Sequence, residues 1–296
     1  AVEGARTKHP PSKHAAAFEM APNDGSDIPR NSSQQFKRVL TVPDLIVYGL
    51  IFMVPIAPFG IYGGVFHDSG GMPALAYLVG TGAMVFTALS YSMLIKEFPA
   101  SGSVYAYTTR GMGKGIGFVS GWTLLLDYIL SPVLLYVVAS TALSGIVPEV
   151  PAWAFAVAFV VFNTFANVVD KVALVLETLV LAVFVVLAVR WLATDPASHG
   201  FTLAPLYNPE TFDPAVVASA ASLAVLSFLG FDGIATLSEE AKDGRRGPGR
   251  AMMASLAIIG TLFALQTYLA GCVSPDGAVF ASDPNNAFYL VAQVVG

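Results

Sequence analysis

Two aspartates stand where an apolar chain rarely holds a charge: Asp127 in "GWTLLLDYILSP" and Asp232 in "SFLGFDGIATLSEEAKDGRRGPGR". A carboxylate at bilayer depth costs a few kcal/mol unless it is paired or hydrated, and it marks a functional position by default. Such a group binds a cationic amine or carries a proton. Asp232 has a second reading, as an N-terminal cap on the half-helix that follows it. For Asp127 the alternative is an interhelical hydrogen bond with Tyr128 or a hydroxyl of another span. Glu177, in "VALVLETLVL", sits near the start of its segment, where it can snorkel or pair with Lys171.

Other chemistries lack their residues. A metal-dependent intramembrane hydrolase needs a set such as His-Glu-x-x-His. The four histidines are His9, His14, His67 and His199, and no pair of them lies at ligand spacing on one apolar segment. Cys272 is the single cysteine, so an internal disulfide or a cysteine-built metal site is excluded. "GMGKGIG" has the glycines of a phosphate loop but neither the Gly-Lys-Ser/Thr order nor a preceding strand. The expectation is therefore no catalytic residue, no metal, no cofactor and no nucleic-acid partner.

The elements that must position these acids are membrane helices. The chain is 55% hydrophobic and 12% charged, against about 25% charge in soluble domains, and its mean hydropathy is +0.67. A span needs about 20 mainly apolar residues. Seven segments qualify: 41–66, 73–95, 116–145, 151–168, 172–193, 214–238 and 251–273. Fourteen of the 15 basic residues fall before span 1 or in alternate connectors, and only Arg190 falls on the other side. The positive-inside rule then predicts a cytoplasmic N-terminus. Residues 1–38 are rich in Pro, Ser, Asn and charge, the composition of a disordered tail. Gly113, Gly117 and Gly121 form a stripe that close helix packing explains.

Two spans carry their own interruptions. Span 1 reads "DLIVYGLIFMVPIAPFGIYGGVF", where Pro55 and Pro58 each remove a backbone donor and Gly60, Gly63 and Gly64 follow. Span 6 is interrupted at Gly230 and Gly233. Lipid cannot satisfy freed backbone groups, so such breaks face protein or a watery cavity. A pair of broken spans in corresponding positions points to a transporter built from inverted repeats, with its site at the breaks.

"FPASGSVYAYTTRGMGKGIGFVSGWTLLLDYILSP" and "SFLGFDGIATLSEEAKDGRRGPGRAM" resemble the span 2–3 and span 6 signatures of amino acid–polyamine–organocation permeases. "LLLDY" and "GFDG" are most similar to the putrescine-importer-like branch, and the likeness covers about residues 38–296. The resemblance implies an all-α polytopic membrane protein with a five-plus-five inverted repeat and broken helices 1 and 6. On that reading residues 39–193 are the first repeat. Residues 212–296 are an incomplete second repeat that ends in a short external amphipathic segment, and the spans from the eighth onward are absent. The family's small residues in span 1 are replaced here by Pro58 and Phe59, and the 167–177 link looks shorter than the family's.

The expected substrate site joins Phe59, Gly60, Ile61 and Tyr62 at the first break with Asp127 and Tyr128 of span 3. The second break adds Ser227, Phe228, Leu229, Gly230, Phe231 and Asp232, with Phe228 as the foremost gate. Glu239, Glu240, Arg245 and Arg246 are expected to form an inner latch. The function implied is secondary transport of an amino acid or polyamine across the cell membrane by alternating access, driven by protons or exchange. With no carboxylate at the first break, amide donors at residues 60–62 favour an amino acid over a polyamine. The alternative is a non-transporting membrane fragment with a regulatory or partner-binding role.

Overall fold

The computed structural model describes residues 38–98, 102–165 and 170–296. The tail expected over 1–38 lies, except for Arg38, outside the described residues. Among the described residues every regular element is helical apart from one isolated bridge.

Helix α1, Val42–Met53, opens on a reciprocal cap in which Asp44 N–H donates to Thr41 Oγ1 and Thr41 N–H donates to the Asp44 carboxylate. It stops at Val54, which adopts φ 48° and ψ 98°, because the following proline disfavours the α conformation in the residue before it. A 3₁₀ turn, Ala57–Gly60, leads into the short helix α2, Tyr62–Asp68. The first span is thus broken where its prolines predict.

Helix α3 spans Pro73–Glu97 and α4 spans Ser103–Met112. Gly113, at φ 95°, turns the chain into α5, Lys114–Ile146, which carries Pro132 inside it. Of the glycine stripe, Gly117 and Gly121 face Thr109 and Tyr105 of α4, whereas Gly113 meets nothing and serves the turn instead. Helices α6, Ala152–Phe165, and α7, Asp170–Thr194, follow. Helix α8, Pro214–Ala224, is capped by the Asp213 carboxylate, which accepts from Ala215 N–H at 2.7 Å. It tightens into a 3₁₀ turn, Val225–Phe228, breaks at Gly230, and resumes as the four-residue α9, Gly233–Thr236. Helix α10, Gly247–Val273, and the short α11, Ala287–Val295, complete the described chain.

Six stretches are long and apolar enough to cross a membrane: Val42–Gly60, Pro73–Glu97, Lys114–Gly145, Val172–Thr194, Pro214–Thr236 and Gly247–Val273. The protein is a multi-pass integral membrane protein. The described part of the segment expected as the fourth of seven spans is shorter than a crossing requires. Its 14-residue helix α6 rises about 21 Å at ~1.5 Å per residue, less than the ~30 Å hydrocarbon core. The rest of that stretch falls in 166–169, outside the described residues.

Helix α10 is the organising element. It packs against α3 and α1, and its Gly249 and Gly260 bring its backbone onto Ser92 and Thr81 of α3, the close approach that small residues allow between membrane helices. One core joins Leu45, Tyr77, Phe228, Ile234, Met252 and Phe263. A second joins Phe59, Tyr62, Phe184, Cys272, Phe280 and Phe288.

Candidate functional site

The second break supplies the site's backbone. Gly230 sits at φ 84°, and a Cβ there would run into the carbonyl oxygen of Phe52, so only glycine lets the interrupted span lie against α1. The peptide groups around it are less bare than a clean break requires. Leu229 N–H donates to Leu226 O at 3.2 Å, Phe231 N–H to Phe228 O at 3.2 Å and Gly233 N–H to Gly230 O at 2.9 Å. These three-residue turns re-satisfy part of the backbone that the break frees.

Asp232 does not spend its carboxylate on capping α9. Its Oδ2 accepts from Ser103 Oγ at 3.3 Å and from Tyr128 Oη at 3.4 Å, so α4, α5 and the broken span converge on one oxygen. Asp127 accepts instead from Ser131 Oγ, one turn along its own helix, at 3.1 Å. Both acids line a cavity of about 510 Å³ between α3, α4, α5 and the second break. Tyr91, Thr87, Ser120 and Thr123 add hydroxyls to its wall, and Phe228 and Phe231 add aromatic surface. Among the described residues that line it there is no Lys, Arg or His. Two carboxylates that share a cavity without a countercharge disfavour one another and favour any cation placed between them.

The expected site residues therefore divide. Asp127, Phe228, Leu229, Gly230, Phe231 and Asp232 line the cavity, and Tyr128 reaches it through Asp232. Ser227 lies behind the wall, hydrogen-bonded to Tyr77 Oη at 2.8 Å. Phe228 is buried and meets Phe263 edge-on, with ring centroids 5.0 Å apart. The first-break residues go elsewhere. Phe59 stacks on Phe288 at 3.8 Å, and Tyr62 meets the edge of the same ring at 5.4 Å. Gly60 faces Val138 of α5, and Ile61 packs against the first core. The amide of Ile61, expected as a free donor, already donates to Pro58 O at 3.2 Å.

At the far end of span 6 the main chain makes the tie. Val39 and Leu40 N–H both donate to Glu240 O, at 2.9 and 3.0 Å, and Lys242 N–H donates to Leu40 O at 2.8 Å. The entrance to span 1 is thereby bridged to the exit of span 6. Arg246 is exposed and forms no ion pair with Glu240 among the described residues; the side chain of Arg245 lies outside them. Glu177 is half-buried on α7, and the side chain of Lys171, its expected partner, lies outside the described residues.

Ser103 and Tyr91 are site residues that sequence reasoning passed over. Ser103 lies within the "PASGSVYAY" signature, and its buried position at φ 43° is a local oddity visible only in the fold. Tyr91, in "LSYSMLI", carries no signal at all.

The chain matches the model of the amino acid permease family over residues 45–296. It is 32% identical over 280 residues to the low-affinity putrescine importer PlaP of Escherichia coli (strain K12), covering 90% of this chain and 61% of that protein. It is 26% identical over 278 residues to the branched-chain amino acid permease BcaP of Lactococcus lactis, covering 84% and 59%. It is 27% identical over 242 residues to the mitochondrial cationic amino acid transporter 3 of Arabidopsis thaliana, covering 72% and 39%. The chain spans about three-fifths of the length of the two bacterial relatives. These are permeases, not enzymes. With two broken spans, an acid-lined cavity at one of them and a family match over most of its length, the chain belongs to the amino acid permease family.

Proposed function

We propose that this protein is a secondary transporter whose substrate is a small organic dication, a diamine of the putrescine class, taken up in the cavity beside the second break. The observation that carries the reading is the pair Asp127 and Asp232 in one cavity without a basic residue. A diamine places one ammonium near each acid, and its methylene chain lies against Phe228 and Phe231. Tyr91 and the two phenylalanines offer ring faces to a cation, an attraction of about 0.5–2 kcal/mol each. A zwitterionic amino acid needs, besides an acceptor for its ammonium, donors for its carboxylate. The donors expected for that purpose at residues 60–62 do not line this cavity. The substrate expectation therefore moves from amino acid to polyamine, and the similarity to a protein named as a putrescine importer supports the move.

Transport follows by alternating access. The chain enters the membrane from the cytoplasmic side of the cell membrane, as its basic residues are distributed. The glycine-hinged span 6 and the proline-broken span 1 rock together, tied at residues 39–40 and 240–242. Asp232, held by two hydroxyls, exchanges a proton or a second amine for the substrate as the cavity changes sides.

The test is uptake of radiolabelled putrescine into proteoliposomes that hold this chain, competed by other diamines and by neutral and basic amino acids. Competition by diamines alone is expected. Equal or better competition by an amino acid overturns the substrate, and the absence of both uptake and binding overturns the carrier.

A further inference from the structure

A buried glutamine on α10 holds the unwound part of the first span. Gln266 has no solvent-exposed surface, and its Nε2 donates to the carbonyl of Pro55 at 3.1 Å as well as to Leu262 O, one turn back on its own helix, at 3.1 Å. Pro55 is the residue at which α1 has just stopped. Its own nitrogen carries no hydrogen, and Val54 before it is driven to φ 48°, a value that a β-branched residue adopts only under constraint. The carbonyl is thus one of the backbone groups that the break frees and lipid cannot satisfy, and a side chain from the seventh span satisfies it.

The remaining atom of the same amide is unused. Gln266 Oε1 is buried without a hydrogen-bond partner among the described residues. A buried unpaired acceptor costs about 1–3 kcal/mol, so packing alone selects an apolar residue here. The neighbouring Thr267 makes the contrast. It is equally buried, yet its hydroxyl bonds only within α10, to Phe263 O and Ala264 O. Gln266 alone of the two reaches across to another span.

We propose that Gln266 is a positioning residue of the transport cycle: it pins the Pro55 peptide to α10, so that the first span unwinds at one place and moves with the seventh. The consequence for uptake rests on the carrier reading; the pinning itself does not. The second break is held differently: its amides close three-residue turns, and Ser227 and Asp232 bond to hydroxyls of other helices.

Hydrogen–deuterium exchange on the full chain in lipid nanodiscs tests this. Gln266→Met keeps the length and removes the donor. It is expected to speed exchange at residues 54–61 by about five-fold, as loss of one net hydrogen bond from a locally opening segment implies, while residues 226–235 stay unchanged. Thr267→Val, the buried control, is expected to leave both segments as they are. Should Gln266→Met fail to insert or fold, Gln266→Asn, too short to reach Pro55, gives the same readout. Unchanged exchange at 54–61, or equal acceleration at both breaks, overturns the assignment. Putrescine uptake measured on the same variants separates the two claims. Faster exchange in a chain that never takes up or binds diamines leaves the clamp standing and removes the carrier. Uptake by the parent with unaltered exchange in the variants does the reverse.

Discussion

At Asp232 a single side chain decides between two roles, and its hydrogen bonds separate them. A capping aspartate turns its oxygens back to the first amides of its own helix; this one accepts from hydroxyls on two other helices and leaves α9 uncapped. Serine and tyrosine hydroxyls hold the group in place, and no basic side chain among the described residues of the cavity lining competes with a ligand for it. Asp232→Asn keeps an acceptor for Ser103 and Tyr128 and removes only the charge. The expected outcome is a chain of nearly unchanged thermal stability whose Kd for putrescine, measured by scintillation proximity, rises on the order of tenfold or more, since a hydrogen bond to a charged group contributes ~1.5–3 kcal/mol. Asp127→Asn has the same expected direction. Putrescine affinity untouched by either substitution removes both acids from the binding site.

Among the elements, the two broken spans use different devices. The first stops because prolines forbid its continuation, and its freed carbonyl is taken up by Gln266 from outside. The second stops because Gly230 turns to φ 84° directly against the Phe52 carbonyl, and it closes its own backbone in tight turns. A side chain at positive φ costs about 1–2 kcal/mol, and at Gly230 the clash with a main-chain oxygen adds to that. Gly113 has a similar φ of 95° but open space around its would-be Cβ. Gly230→Ala is therefore expected to lower the thermal midpoint in detergent, followed by circular dichroism, clearly more than Gly113→Ala does. Equal losses at the two positions would mean that the contact with Phe52 is not tight.

Over the whole molecule, stability comes from seams between helices, because apolar surface facing lipid gains nothing from burial. Phe288 lies in one such seam, stacked on Phe59 and meeting Tyr62 and Phe184. Phe86 on α3 is 74% exposed and faces outward. Phe288→Ala is expected to cost about 3–5 kcal/mol, the range for emptying a buried aromatic site, and Phe86→Ala close to nothing. Chemical unfolding in mixed micelles distinguishes them, and equal effects would place the 278–295 segment outside the folded core. That segment also explains the fate of the first break. Its aromatic rings draw Phe59 and Tyr62 into packing, away from the acid-lined cavity.

Hydropathy alone located six of the seven expected stretches as long enough to cross, the exception being 151–168, since a window of apolar residues is a local property. Pro55, Pro58 and Gly230 marked the breaks for an equally local reason: each restricts or frees its own φ. The isolated acids were legible as well, because charge is conspicuous in an apolar helix. Six of the expected binding residues line one cavity, and Tyr128 touches it through Asp232. What only the tertiary structure decided was orientation and partnership. Asp232 finds Ser103 and Tyr128 across 129 and 104 residues of chain, and Gln266 finds Pro55 across 211. A helix that is apolar on every side carries no periodic signal of which face meets protein. The side of each span that turned toward the cavity, the core or the lipid was therefore settled by packing between helices distant in sequence.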